Sequence, residues 1–310
     1  MRKSTATAEN TTIENTTIES DTDSQIDPTN SSYDGLDYTP LMVVAVLETM
    51  RDRVFQKARI STTNRISAIE RGSSKASPET ETIFRGWLDR FQELESEITD
   101  QAIEACKGIP IVEDMVALRG ISYVTAAKIL SKINITQANT IAALWRYAGY
   151  GIGEYWVNNE TGKVAGPVFG YRFVKQGEIK VREFAAFDAD EASMHIEKRR
   201  DQLLEGWVSP FNRRLKTALF TAADSLIKAR SPYTAIYYET KEAKLQAGIP
   251  RGHAHMQAIR KMNKILLSHI WMQWREREGL PVRAPYAQEK LGHTTILERS
   301  TFGWPAIEAR

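Results

Sequence analysis

The sequence predicts a mainly α protein: a helical hairpin, then a helical domain that contains a helix-hairpin-helix turn and a small β-hairpin insertion. Three observations predict it. Long segments repeat apolar residues at helical spacing. Glycine, proline and N-capping residues punctuate those segments. One stretch alone, near 155–187, alternates apolar and polar residues as a strand does.

Residues 1–40 hold two basic and eight acidic side chains within a Thr-, Asn- and Glu-rich stretch that includes "TTIENTTIES". Such a segment buries too little apolar area to offset its ordering entropy, so it reads as a disordered acidic tail. Residues 41–108 read as a helical hairpin or coiled-coil connector. Its first helix, within Met42–Arg71, carries a stripe of Val46, Met50, Val54 and Ile60, with Ile66 and Ile69 further on. "GSSKASPET" breaks the pattern, and Phe84, Leu88, Phe91, Leu94 and Ile98 resume it up to Gly108 and Pro110. A homodimer through helices 42–107 is one expectation for that apolar stripe.

Residues 109–278 read as the main domain. The β-hairpin is centred on Lys175-Gln176-Gly177, and "NNETGK" (Asn158–Lys163) makes a second turn. A strong helix spans Ser209–Arg230, with Phe211, Leu215, Leu219, Ala222 and Leu226 on one face; Ser231-Pro232 ends it. His255–Glu278 is another helix, and residues 279–310 read as an irregular tail.

The turn at Leu118–Ala126, "LRGISYVTA", is the stretch most suggestive of function. Gly120 can adopt a conformation closed to other residues. Ile121 would point back between the flanking helices and fix their angle. Backbone N–H groups at the turn and at the next helix start would then face outward, where a phosphate oxygen fits. Arg119 offers a further phosphate contact, Ser122 a helix cap, and Thr125 and Lys128 lie on the following helix. The same pattern also serves as plain scaffold. A DNA glycosylase is disfavoured: the hairpin has Val124 where some members use Lys, and "TQANT" (Thr136–Thr140) lacks the required Asp.

Together, Leu118–Ala126, "YAG" at Tyr147–Gly149, an Arg-rich helix at Arg214–Leu219, the aromatic "YTAIYYE" and a basic last helix resemble the C-terminal domain of the insertion sequence 110/116/902 transposases, a family of RNA-guided recombinases. The resemblance covers roughly residues 42–275, with 42–108 similar to the family's helical connector. It implies DNA or structured RNA as the partner. Two departures limit what it implies. The family's N-terminal RuvC-like domain has no counterpart before Met42. Its nucleophilic Ser is also missing from Gly151–Tyr171, where Thr161 is the one non-tyrosine hydroxyl. The implied protein is therefore the nucleic-acid-holding half of a transposase without a catalytic centre. The alternatives are an active transposase or recombinase, and a helical interaction module that binds no nucleic acid.

Charge agrees with binding. The formal net charge of +2 hides a body of about +8 against the acidic tail. Residues 196–277 carry sixteen basic and seven acidic side chains, among them Lys198, Arg199, Arg200, Arg213, Arg214, Lys216, Arg260, Lys261 and Lys264. Such a patch can neutralise phosphates. Tyr233, Tyr237 and Tyr238 would stack on bases, unless they belong to the core. No cofactor or metal is expected. His253 and His255 lack a Cys pair, and Asp188, Asp190 and Glu191 read as a loop or a helix start. A single cysteine, Cys106, allows no intrachain disulfide and fits a reducing cytoplasm. With no signal-peptide pattern and no apolar run of about 18 residues, no membrane is expected.

Overall fold

The structure is a computed structural model that describes residues 39–176, 179–282 and 297–307. The acidic tail up to residue 38 and residues 283–296 of the C-terminal tail lie outside the described residues. The fold is mainly helical with small antiparallel sheets.

Helix α1 (Pro40–Met50) starts at Thr39, whose hydroxyl accepts from the Met42 N–H, with Pro40 in the first turn. A π-helical segment, Arg51–Phe55, joins it to α2 (Gln56–Glu70). Ser77 and Pro78 repeat the same start for α3 (Pro78–Cys106), which returns antiparallel. Arg59 meets Glu95 at 2.5 Å, and Arg85 meets Glu70 at 2.9 Å.

The hairpin is therefore present, but the face it buries differs from the expected one. Val46, Met50, Val54 and Ile60 are all exposed, whereas Val44, Glu48, Arg51, Thr62 and Ile66 are buried. Val44, Glu48 and Arg51 already share the inner face before the π segment adds its extra residue, so the stripe through Val46 and Met50 lies to one side of it, and the π segment shifts the phase only beyond Arg51. Polar residues fill the inner face because they bring partners. Arg51 pairs with Glu48 at 2.6 Å and Asp52 at 2.8 Å, and Lys132 reaches Asp52 at 3.7 Å. Burial still raises the Glu48 carboxyl above its usual range.

Next come α4 (Pro110–Val116), which opens on Pro110 in its first turn, and α5 (Tyr123–Leu130) and α6 (Ile141–Tyr147), capped by Ser122 and Thr140 respectively. Strands follow. β1 (Ile152–Asn158) lies between β2 (Val164–Pro167) and β5 (Met194–Arg200), while β3 (Phe169–Gln176) and β4 (Ile179–Ala186) form a separate ribbon. The insertion is thus larger than the hairpin expected near 155–187. The strand nearest the basic helix, "MHIEKRR", pairs with β1 in full register and carries the sheet on to Arg200.

Helices α7 (Arg213–Lys228), α8 (Tyr233–Gln246) and α9 (Arg251–Arg277) complete the domain. The face expected for α7 is the buried one, since Phe211, Leu215, Leu219, Ala222 and Leu226 all lie in the core. Tyr233 and Tyr237 are buried as well, so they are core residues rather than base-stacking ones; Tyr238 alone of the three faces outward. Their helical spacing puts two of the three on the inner face of α8.

Helix α9 runs through the core, and its polar side chains hold segments from the rest of the fold. Trp271 donates to the Ala138 carbonyl at 2.6 Å, and Arg275 to Ile135 at 3.0 Å and Ala138 at 3.1 Å. The buried Asp114 on α4 accepts from Gln273 at 2.8 Å and from Arg277 at 2.7 Å. The C-terminal segment is not wholly irregular: a 3₁₀ turn, Arg299–Phe302, places Phe302 and Trp304 in the core. There the Trp304 indole donates to the Tyr233 hydroxyl at 2.7 Å. That hydroxyl then donates to His269 Nδ1 at 2.6 Å, and His269 Nε2 donates to the Leu297 carbonyl at 3.0 Å. No helix among the described residues is long and apolar enough to cross a membrane.

This donor chain requires a neutral imidazole, and burial pushes His269 down to about 4. Between that value and the ordinary histidine pKa of about 6.5, the unfolded chain takes a proton that the folded chain refuses. Stability is therefore full above about pH 6.5 and falls as the pH drops toward 4, by on the order of 3 kcal/mol at most. Urea denaturation at pH 7 and pH 4.5 measures the effect, and His269→Gln is expected to lack this component.

Candidate nucleic-acid interface

The turn between α4 and α5 has the local geometry its sequence requires. Gly120 sits at φ +100°, Ile121 is buried, and the Ser122 hydroxyl accepts from the Thr125 N–H at 3.3 Å. Ser122 and Thr125 hydroxyls also meet at 3.2 Å. What the turn approaches is another helix. A Cβ on Gly120 would lie 2.9 Å from the Ala229 Cβ and 3.0 Å from the Ser225 carbonyl oxygen. The Cβ side of Gly120 is therefore closed against the C-terminal end of α7, where no side chain would fit. Arg119 is exposed and forms no ion pair among the described residues.

Lys128 faces a different neighbour from the one expected. It is half-buried, and its charge acts on the carboxyls of Glu48 and Asp52 in the helical hairpin. Its influence there is smaller than that of Arg51 or Lys132. Just beyond α5, Lys132 feels both Asp52 and Arg214, and burial holds its ammonium below the ordinary lysine range.

The predicted cations that do come together lie at the other end of α7. That helix has 16 residues and is about 24 Å long, so the turn and the start of α7 are well separated. Asn212 caps α7 by accepting from the Leu215 N–H at 3.0 Å, which presents Arg213 and Arg214 on the exposed first turn. One turn on, the Lys216 ammonium lies 4.2 Å from the centre of the Phe211 ring. From α9, Lys264 lies 3.8 Å from the centre of the Trp145 ring, whose indole donates to the Lys264 carbonyl at 3.0 Å. Lys261 is exposed on the same helix.

Arg260 joins these two groups. Its guanidinium donates to the carbonyls of Gly149 at 3.4 Å, of Tyr150, and of Gly151 at 3.2 Å. Those carbonyls follow the end of α6, so Arg260 closes the "YAGYG" loop. Its hydrogen bonds are satisfied by neutral acceptors, and its charge is only partly offset, by Asp201.

The electrostatic result is a cluster of like charges. Burial and then the Arg260 charge lower both Lys216 and Lys264, and burial and then Arg200 lower Arg260 itself. The acid in this neighbourhood is Asp201, which is buried. Its Oδ1 accepts from the Tyr155 hydroxyl at 3.1 Å, while Oδ2 is buried without a hydrogen-bond partner. Gly151 and Gly153 make room for that carboxylate, since a Cβ on either would come within 2.8 Å of it. Among the described residues, the Asp201 carboxylate acts on Lys216 and Arg260, while Lys264 feels Arg260 and Arg260 feels Arg200. Bringing cations together in a partly desolvated site is unfavourable, and a polyanion relieves it.

The Thr161 hydroxyl is held at 3.0 Å by the Asn158 side-chain carbonyl in the β1–β2 turn. Among the described residues there is no group of three His, Cys, Asp or Glu that could hold a metal ion. Sequence reasoning missed Asp201 and Trp145. Neither carries a motif; Trp145 matters through Lys264, 119 residues on, and Asp201 through Tyr155, 46 residues before it. The chain matches no protein-family model and none of the curated proteins.

The roles of Arg260 and Lys216 are separable. Arg260→Leu strands three loop carbonyls and is expected to cost about 2–3 kcal/mol. Lys216→Gln removes repulsion and is expected to change stability by less than about 1 kcal/mol. Urea denaturation of the two variants checks this. Gly120→Ala combines positive-φ strain with overpacking against Ala229 and is expected to cost about 2–4 kcal/mol by the same measurement.

Proposed function

We propose that this protein binds nucleic acid through the phosphate backbone, without sequence readout and without a catalytic centre of its own. The observation that supports the reading is the grouping of Lys216 and Lys264 about Arg260, whose guanidinium is held by loop carbonyls, with the buried Asp201 acting on Lys216 and Arg260. Exposed Arg213, Arg214 and Lys261 extend the positive surface along α7 and α9. Duplex DNA is the first partner to test and structured RNA the second, since either supplies regularly spaced phosphates.

The reading also includes a relationship to the C-terminal domain of insertion sequence 110/116/902 transposases, which rests on the order of the turn, the "YAG" loop and the basic helices. The α4–α5 pair is then that family's helix-hairpin-helix. In this chain Gly120 and Ile121 shape the turn and Arg119 faces out from it, while the main phosphate contact moves to the start of α7. Such a role goes with a cytoplasmic location. We further propose that two copies meet through helices 42–107, because Met42, Val46, Met50, Val54, Ile60, Ile83 and Trp87 leave that hairpin with an exposed apolar side.

Anisotropy titrations of labelled duplex over a salt series test the binding. Wild-type affinity is expected to fall steeply with salt. Lys216→Gln combined with Lys264→Gln is expected to weaken binding and to flatten the log–log salt slope by about 0.9 per lost contact. Absence of duplex and folded-RNA binding at low salt overturns the proposal. Strand exchange with Mg²⁺ present overturns its non-catalytic part. Sedimentation of wild type against a Val46→Glu, Val54→Glu variant tests the dimer, which the variant is expected to lose.

A further inference from the structure

The β3–β4 ribbon has two faces of different character. One is packed. Gly170 lies against Trp207, where a Cβ would come within 2.9 Å of the indole, and the Tyr171 carbonyl accepts from the Val208 N–H at 2.7 Å. Arg172 lies toward this side and reaches Glu183 across the strands at 3.6 Å.

The opposite face is bare and aromatic. Phe169, Tyr171 and Phe173 occupy alternate positions of β3, and Phe184 pairs in register with Tyr171. Their exposures are 63 %, 44 %, 58 % and 60 %, values more typical of lysine than of a large ring. The rings form a continuous row: Phe169 stacks on Phe184 at 5.9 Å and 11°, Phe184 meets Tyr171 edge-on at 5.1 Å, and Arg182 covers Tyr171 at 4.3 Å. Arg182 and Lys175 are cationic, and the acid of the described ribbon, Glu183, falls on the other face.

We propose that this face is a stacking platform for single-stranded nucleic acid, a site distinct from the phosphate contact on α7 and α9 and independent of it. Three physical arguments select this partner. Exposed rings with cations beside them match what a single strand presents, namely bases with open π faces joined by phosphates. A duplex covers those base faces by its own stacking and cannot use the rings. Alternate residues of a strand are about 6.8 Å apart, which suits splayed bases rather than tightly stacked ones. A second copy of the chain is disfavoured, because joining two such faces would press Arg182 and Lys175 against their equivalents. An anionic lipid surface is disfavoured because the rings lie along the flat of the ribbon, while Lys175 and Gln176 stand nearest its turn.

The ribbon also has a structural link to the cationic cluster. The connection from β5 to α7 contributes Asp201 to the cluster, Trp207 to the underside of the ribbon, and Phe211 to the contact with Lys216.

The test uses the full chain and a Phe173→Ser, Phe184→Ser variant, with folding checked by circular dichroism. Both side chains are exposed, so the fold is expected to survive. The probes are fluorescein-labelled oligothymidylate, a duplex of mixed sequence, and phosphatidylserine vesicles. The variant is expected to bind oligothymidylate at least about fivefold more weakly, with duplex binding within about twofold of wild type. The single-strand deficit is expected to persist at high salt, because stacking is not screened. The proposal is overturned if wild type does not bind the oligonucleotide, or if the variant binds it equally well. It is also overturned if the substitutions abolish vesicle binding or self-association instead. Loss of duplex binding in wild type, with single-strand binding intact, overturns only the phosphate contact at Lys216 and Lys264.

Discussion

The fold depends on the need to satisfy the backbone carbonyls that surround α9. The segment from Ile135 to Gly151 leaves α5, turns through α6 and enters β1, and in doing so it brings irregular backbone into the core. Buried carbonyls without donors cost free energy comparable to a lost hydrogen bond each. Helix α9 supplies the donors. Arg260 serves Gly149, Tyr150 and Gly151, Trp271 serves Ala138, and Arg275 serves Ile135 and Ala138. The same helix holds α4 through Asp114 and the C-terminal segment through His269 and Gln273. An apolar helix of the same length would fill the space but would leave those groups unpaired.

This arrangement explains how a structural network becomes a charged surface. Arginine is suited to capping carbonyls because its planar fork offers several donors, but it cannot shed its charge. Arg260 meets its hydrogen-bonding requirement with neutral acceptors, and its charge then acts on Lys216 and Lys264. Asp201 offsets part of that charge and no more. The cluster is costly in the free protein, and a cost of this kind is commonly found where a ligand binds.

The clearest divergence between pattern and structure is in the first helices. An apolar stripe at positions 46, 50, 54 and 60 reads as a core face, yet it lies outside, and Glu48 and Arg51 lie inside. Periodicity shows that a helix is amphipathic. It does not say which face the neighbours cover, nor does it detect a π segment that shifts the phase. The aromatic residues give a similar lesson in two directions. Tyr233 and Tyr237 have the composition of a binding surface and are core, held by His269, Trp304 and His255. The Phe169–Tyr171–Phe173 alternation has the composition of a strand core and is exposed. A strand pattern fixes which residues share a face, and only packing decides which face is covered.

Local chemistry was legible in the sequence. The helix start at Ser122, the buried stripe of α7, the positive-φ turn at Gly120, the hairpin around residue 176 and the uneven charge all follow from short-range rules of capping, periodicity and turn geometry, whereas the cap of α7 falls at Asn212, three residues after the expected start at Ser209. Long-range partners were not. Pattern could not show that the Cβ side of Gly120 is closed by Ala229, that Lys132 pairs with Asp52, or that Lys216 and Lys264 both lie near Arg260. Each of these depends on residues far apart in the chain brought within a few ångströms, where desolvation and Coulomb energy vary steeply with position. The sequence determined the helices and the sign of the charge. The tertiary structure decided which cations keep their charge for a partner, because burial and neighbouring carboxylates are properties of the packed chain.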